Sequence, residues 1–295
     1  MVIGCEAVDT SVVTALRRSF PAEGYFAGSA VFHYLGPALA VLLFAHVGVL
    51  GVAWLRVASA AVVFAAWRRP WRWYARLGQS EQYTVVALGV TLAVMNACFY
   101  LAIDRLPLGT VAAIEFLGPT IVAAAGMRTR RNQLALVLVV CGVYLVTGVQ
   151  LHGRAVGFAF AFANAALFAV YVVLGHRVAR AGANIDALAA AMLVAALVIT
   201  PIGLLAAAPA LTVPASIAAG IGVGVTSSVI PYVCDQLAMA RLGRSAYALM
   251  VSLLPATAVA VGILVLGQVP TLAAVAGVAL VMAGVAGHRD SDQPA

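Results

Sequence analysis

Arg105-Leu-Pro-Leu-Gly-Thr-Val-Ala-Ala-Ile-Glu-Phe-Leu-Gly-Pro119 and Arg241-Leu-Gly-Arg-Ser-Ala-Tyr-Ala-Leu-Met-Val-Ser-Leu-Leu-Pro255 are two copies of one segment. The Arg-Leu pair and the closing proline recur at a single offset of 136 residues, and Gly126 and Gly262 keep it. If five membrane spans separate equivalent points, the second copy stands upside down relative to the first. Inverted repeats of this kind build secondary transporters, with the substrate site at the repeat interface near the bilayer midplane.

Composition supplies the membrane. Hydrophobic residues make up 64% of the 295 and charged residues 9%, against about 25% charged in a soluble domain. Mean hydropathy is +1.06. Apolar stretches long enough to cross a hydrocarbon core of about 30 Å recur along the chain. All 17 basic residues are arginine. Without lysine there is no phosphate-loop ATPase and no Schiff-base enzyme. The net charge of +7 reads as arginines at membrane borders, not as a nucleic-acid surface. Cys5, Cys98, Cys141 and Cys234 have no paired spacing and read as small core residues. No small-residue cleavage site follows residues 1–23, so the first span is expected to act as an uncleaved anchor.

Ten spans are predicted, at 25–45, 48–67, 82–103, 108–127, 133–151, 155–175, 186–208, 214–236, 245–266 and 270–287, with the turn near His46 the least defined. With the N-terminus inside, the inner segments hold 14 arginines and the outer loops only Arg105 and Arg154. This bias sets both termini in the cytoplasm of a multi-pass inner-membrane protein. The predicted architecture is therefore all-α: an N-terminal cytoplasmic segment 1–24, five-helix repeats at 25–151 and 155–287, and a tail 288–295. Gly36-Pro37, Gly118-Pro119, Pro201, Pro231 and Pro255 fall inside spans. Such breakers are tolerated where neighbouring helices or a cavity satisfy the freed backbone. Pro119 and Pro255, paired by the repeat, are the candidate helix-break or gating positions.

Ionisable residues inside a span are costly and mark functional sites by default. Arg56 lies 12 residues before Arg68 and Glu115 lies 13 before Arg128, which puts both about 18–20 Å from the cytoplasmic border. Asn164, Ser228 and His33 fall near the same depth, and Asn96 and Tyr100 lie in the outer half of span three. Together these seven are the candidate substrate-binding or proton-coupling residues. Each polar one also reads, singly, as an interhelical hydrogen bond, worth about 0.6 kcal/mol, and His33 as a packed histidine. Glu115 has three readings. A carboxyl out of water can carry a proton at physiological pH; it can form a static ion pair with Arg56; or a zwitterion can insert, its carboxylate on Arg56 and its amine on Glu115. Asp235, about 9 Å from the border, reads as an inner gate or a solvated helix end. Trp67, Trp71 and Trp73 read as interfacial anchors. Gly220-x-x-x-Gly224 reads as a close helix contact.

At these residues the chain resembles the drug/metabolite transporter superfamily in its EamA-type ten-helix form, nearest the threonine/homoserine exporters. The likeness rests on Phe99-Tyr-Leu-Ala-Ile-Asp-Arg-Leu-Pro-Leu-Gly109, Ala113-Ile-Glu-Phe-Leu-Gly-Pro119, Ser228-Val-Ile-Pro-Tyr232, Arg241-Leu242, Leu253-Leu-Pro255, Leu55-Arg56 and Gly175-His-Arg177. It covers about Ala27–Gly287. Two positions depart from the family: Gln268 stands where glutamate is common, and a helix-six aromatic is replaced around Ala165–Leu167. The resemblance implies an exporter of small metabolites driven by the proton gradient.

The expected partners are a small-molecule substrate, the lipid bilayer and protons, with room for a homodimer and no nucleic acid. No cofactor, metal or catalytic residue is expected. Amino-acid export by alternating access is the first reading, efflux of drugs or other metabolites by the same fold the second. An intramembrane enzyme or a non-transporting accessory protein is the distant alternative, since no H-E-x-x-H, aspartate pair or nucleophile elbow occurs.

Overall fold

A computed structural model describes residues 21–126, 129–148, 154–179, 184–239 and 250–287. The helices are α1 (Ala22–Val47), α2 (Val49–Arg68), α3 (Pro70–Tyr74), α4 (Gln79–Ile103), α5 (Leu108–Glu115), α6 (Leu117–Gly126), α7 (Arg130–Gly148), α8 (Ala155–Ala179), α9 (Asn184–Ala207), α10 (Pro214–Gly224), α11 (Ile230–Met239), α12 (Leu254–Leu266) and α13 (Leu272–Gly287). Seven helices are long and apolar enough to cross a membrane. Three shorter apolar segments, Leu108–Val122, Leu254–Leu266 and Leu272–Gly287, complete the ten expected spans. The start of the repeat's second copy, at Arg241-Leu242, and the predicted join near 151–153 lie outside the described residues, as does the side chain of Asp235.

The chain reverses between α1 and α2 at Gly48 alone, with φ +77°, a left-handed conformation that glycine adopts without a Cβ clash. The turn is therefore two residues past the predicted His46. Antiparallel succession then gives the bundle two ends. At the Gly48 end, Gln268 Oε1 accepts from the Leu108 N–H at 2.9 Å. At the Arg68 end, Arg68 holds Asp186 through two bonds of 2.8 and 3.2 Å, and Arg131 Nε donates to the Gly287 carbonyl at 2.6 Å. Helix α3 lies at this end and was not foreseen; Arg69, at φ 48°, turns the chain into it.

Packing follows the halves. Helix α2 packs on α9, α7 on α13, and α5 on α12; α4 meets α8 as α11 meets α1, and α9 meets α4 as α10 meets α2. Each of these contacts has its counterpart five spans on, the pattern that a two-fold relation between the halves requires.

Two predicted spans are not continuous. Span four divides into α5 and α6 at Phe116. Pro119 causes the division: it has no N–H for the Glu115 carbonyl, and its ring crowds that carbonyl. Span eight is interrupted by a π turn over Val225–Val229 between α10 and α11, and the same proline logic applies. Pro231 has no N–H to offer the carbonyl of Ser227. Pro255 sits in the first turn of α12, the place that Pro119 takes in α6.

Candidate functional site

The interior holds a cavity of about 380 Å³, with walls from α1, α2, α4, α5, α8, α9, α11 and α12, so both halves contribute. Of the seven candidate residues, His33, Arg56, Asn96, Glu115 and Asn164 line it directly. Ser228 and Tyr100 stand behind Arg56.

Arg56 is presented by close helix contact. A Cβ on Gly224 would run into Ser59 Oγ and the Arg56 backbone, so α10 reaches α2 only with glycine there, as the Gly220/Gly224 spacing suggested. The guanidinium donates from Nε to Ser228 Oγ at 3.1 Å and from Nη2 to the Ser227 carbonyl at 3.2 Å. That carbonyl is the one Pro231 leaves without a helical donor. A π turn at a functional position is a recurrent device; here it aims a backbone acceptor at a buried cation. The Ser227 hydroxyl is committed to the Val223 carbonyl. Arg56 Cζ also lies 5.5 Å from the centroid of the Tyr100 ring, within cation–π range.

Glu115 ends α5 at the division in span four, and its Oε1 accepts from Asn164 Nδ2 at 3.1 Å. Among the described residues the ion pairs lie at the bundle ends, Arg68–Asp186 and Arg105–Asp104, and none joins Arg56 to Glu115. The static ion pair allowed by the sequence is thus replaced by two charges on one cavity, each bonded to neutral groups. The physical reason is in the neighbours: serine and backbone oxygens from α11's approach satisfy Arg56, and an amide from α8 satisfies Glu115.

Among the described residues, Tyr100 Oη and Asn164 Oδ1 have no hydrogen-bond partner within bonding distance, on residues 0% exposed. An unsatisfied buried group costs about 1–3 kcal/mol. Asn96 spends its Nδ2 on the Leu92 carbonyl at 2.8 Å. His33 stands edge-on to buried Tyr34, with centroids 5.1 Å apart.

Sequence reasoning missed much of the wall, including Tyr34, Phe168, Tyr171, Met192, Tyr232 and Leu254. In an apolar chain these types carry no signal. The Ser227 carbonyl was also missed, although Pro231 four residues later points to it. Phe168 and Tyr171 of α8 put aromatic rings on the cavity wall, and a Cβ on Gly118 would meet the Ala165 carbonyl. Gln268, the other departure, caps the first turn of α5.

Residues 155–288 match the EamA-like transporter family. The threonine/homoserine exporter RhtA of Escherichia coli (strain K12) is 35% identical over 239 residues, 80% of each chain. The protein of the same name from Salmonella typhimurium (strain SL1344) is 33% identical over the same share. A crystal structure of a protein 20% identical has the same fold, with a TM-score of 0.60 over 88% of this chain and 94% of its own.

Proposed function

Because this chain belongs to the EamA-type drug/metabolite transporters, near the threonine/homoserine exporters, we propose that it exports small amino acids across the cytoplasmic membrane by proton-coupled alternating access. One observation carries the reading: Arg56 and Glu115 share a cavity of about 380 Å³ without pairing to each other. A cavity with one fixed cation and one fixed anion is complementary to a zwitterion. The substrate carboxylate lies on the Arg56 guanidinium. The ammonium lies between the Glu115 carboxylate and Asn164 Oδ1, which is then used.

The volume is at the low end of the range for ligand pockets, about 300–1,000 Å³, and its charges suit amino acids better than apolar drugs. The two halves rock about this level, with the divisions at Pro119 and Pro255 as the places where helix pieces reorient. The Arg68 end carries Arg68, Arg69, Arg72, Arg76, Arg130, Arg131 and Arg177 against Arg105 and Arg154 at the other, so the Arg68 end faces the cytoplasm. Glu115 takes up a proton when the ammonium leaves and returns it when the next substrate arrives, which couples export to the gradient.

The test is counterflow of radiolabelled threonine or homoserine in liposomes, with and without an outward proton gradient from an acid lumen, beside Glu115→Gln. Uptake above empty liposomes that the gradient stimulates, and that the variant loses, supports the reading. No counterflow from folded protein removes the amino-acid assignment.

A further inference from the structure

The repeat offset that relates Arg105 to Arg241 and Pro119 to Pro255 also relates Arg56 to Met192 and Glu115 to Val251. All four of these residues line the one cavity. The offset is structurally sound at these positions: α2 starts at Val49 and α9 at Asn184, within one residue of it. The two-fold relation therefore places an apolar pair where the charged pair's image falls. Chain direction says where that image is. Arg56 and Glu115 lie on the Gly48 side of their spans, whereas Met192 and Val251 lie toward the Arg68 end, with Val172 and Leu254 nearby on the same side. The cavity thus has a charged level and, toward the Arg68 end, a mainly apolar level bounded by the Tyr171 and Tyr232 rings.

On the reading that a zwitterion binds between Arg56 and Glu115, we infer that the Met192–Val251 compartment receives the substrate's side chain, and that the natural range includes apolar amino acids such as valine, leucine and methionine. Fixing both head groups at the charged level leaves one direction for the side chain, toward the Arg68 end. There it meets a methionine thioether and aliphatic groups. A polarisable, unbranched methionine adapts its shape to different occupants. A hydrophobic wall also discriminates weakly between a methyl and an isosteric hydroxyl, so valine fits wherever threonine does. Each further buried methylene strengthens binding by about fourfold.

The experiment is competition against labelled-threonine counterflow by unlabelled valine, leucine, methionine and serine, using the full-length protein in liposomes. Valine is expected to compete at least as strongly as threonine, leucine and methionine more strongly still, and serine more weakly. Met192→Gln, close in volume, supplies an amide to the wall and is expected to lower the leucine-to-threonine preference several-fold. Threonine counterflow that valine and leucine leave untouched overturns this inference and leaves the amino-acid reading intact. A leucine-to-threonine ratio unchanged by Met192→Gln in active protein also overturns it. Absence of threonine counterflow in the wild type defeats the underlying reading instead.

Discussion

Arg56 and Glu115 both come from the first half of the chain, and their side-chain hydrogen-bond partners come from the second. Ser228, the Ser227 carbonyl and Asn164 supply neutral oxygens and an amide, while Met192 and Val251 occupy the places that the repeat assigns to the charges themselves. The halves therefore share a fold without sharing chemistry. Duplication repeats helix lengths, breaks and packing, because these depend on apolar runs and prolines. A buried charge is too costly to be kept twice, and one pair suffices for one substrate. The difference has a further consequence: each charge is positioned by the opposite half, so movement of one half against the other changes the surroundings of both charges together.

The comparison breaks first at its charges. Arg56→Ala is expected to lower threonine counterflow by about 100-fold or more, since truncating a buried charged partner costs about 2–5 kcal/mol. Initial rates in liposomes, with the variant's folding checked by its elution profile, measure this. Retained transport would mean the cation is structural.

Asn164→Leu tests the partner from the second half. It leaves Glu115 without its donor, and bonds to charged groups are worth about 1.5–3 kcal/mol, so the half-saturating threonine concentration should rise by about tenfold or more. Pro231→Ala sharpens the point about the π turn. It gives the Ser227 carbonyl a competing N–H and removes a helix-interior proline, which costs about 3 kcal/mol relative to alanine. The thermal midpoint should rise while transport falls several-fold, a pairing that a merely structural proline would not produce. The smallest effect belongs to Arg68→Ala at the bundle end. Its pair with Asp186 is partly exposed, so about 1 kcal/mol or less is lost, and counterflow should change less than twofold.

How much the sequence disclosed follows from the same asymmetry. The spans were legible because apolar runs and border arginines report directly on bilayer thickness. Arg56 and Glu115 were legible because a charge in such a run is rare, and a constant rise per residue puts both at one depth. The direct pairing of those charges was not decidable, since it depends on which neighbours reach them first. Helix α3 was hidden within a polar connection. Met192, Phe168 and Leu254 were invisible as cavity residues because an apolar residue facing a cavity and one facing lipid look alike in a sequence. Pro231 was noted as a breaker, but its effect falls four residues upstream, on a carbonyl whose partner lies 171 positions away.

The central claim, that one zwitterion is held between Arg56 and Glu115, is tested most directly by removing one substrate charge at a time. Competition against labelled-threonine counterflow would use threonine methyl ester, which lacks the carboxylate, and N-acetylthreonine, which lacks the ammonium. The account predicts that unlabelled threonine competes and neither derivative does. Competition by both derivatives as strong as threonine's own would contradict it.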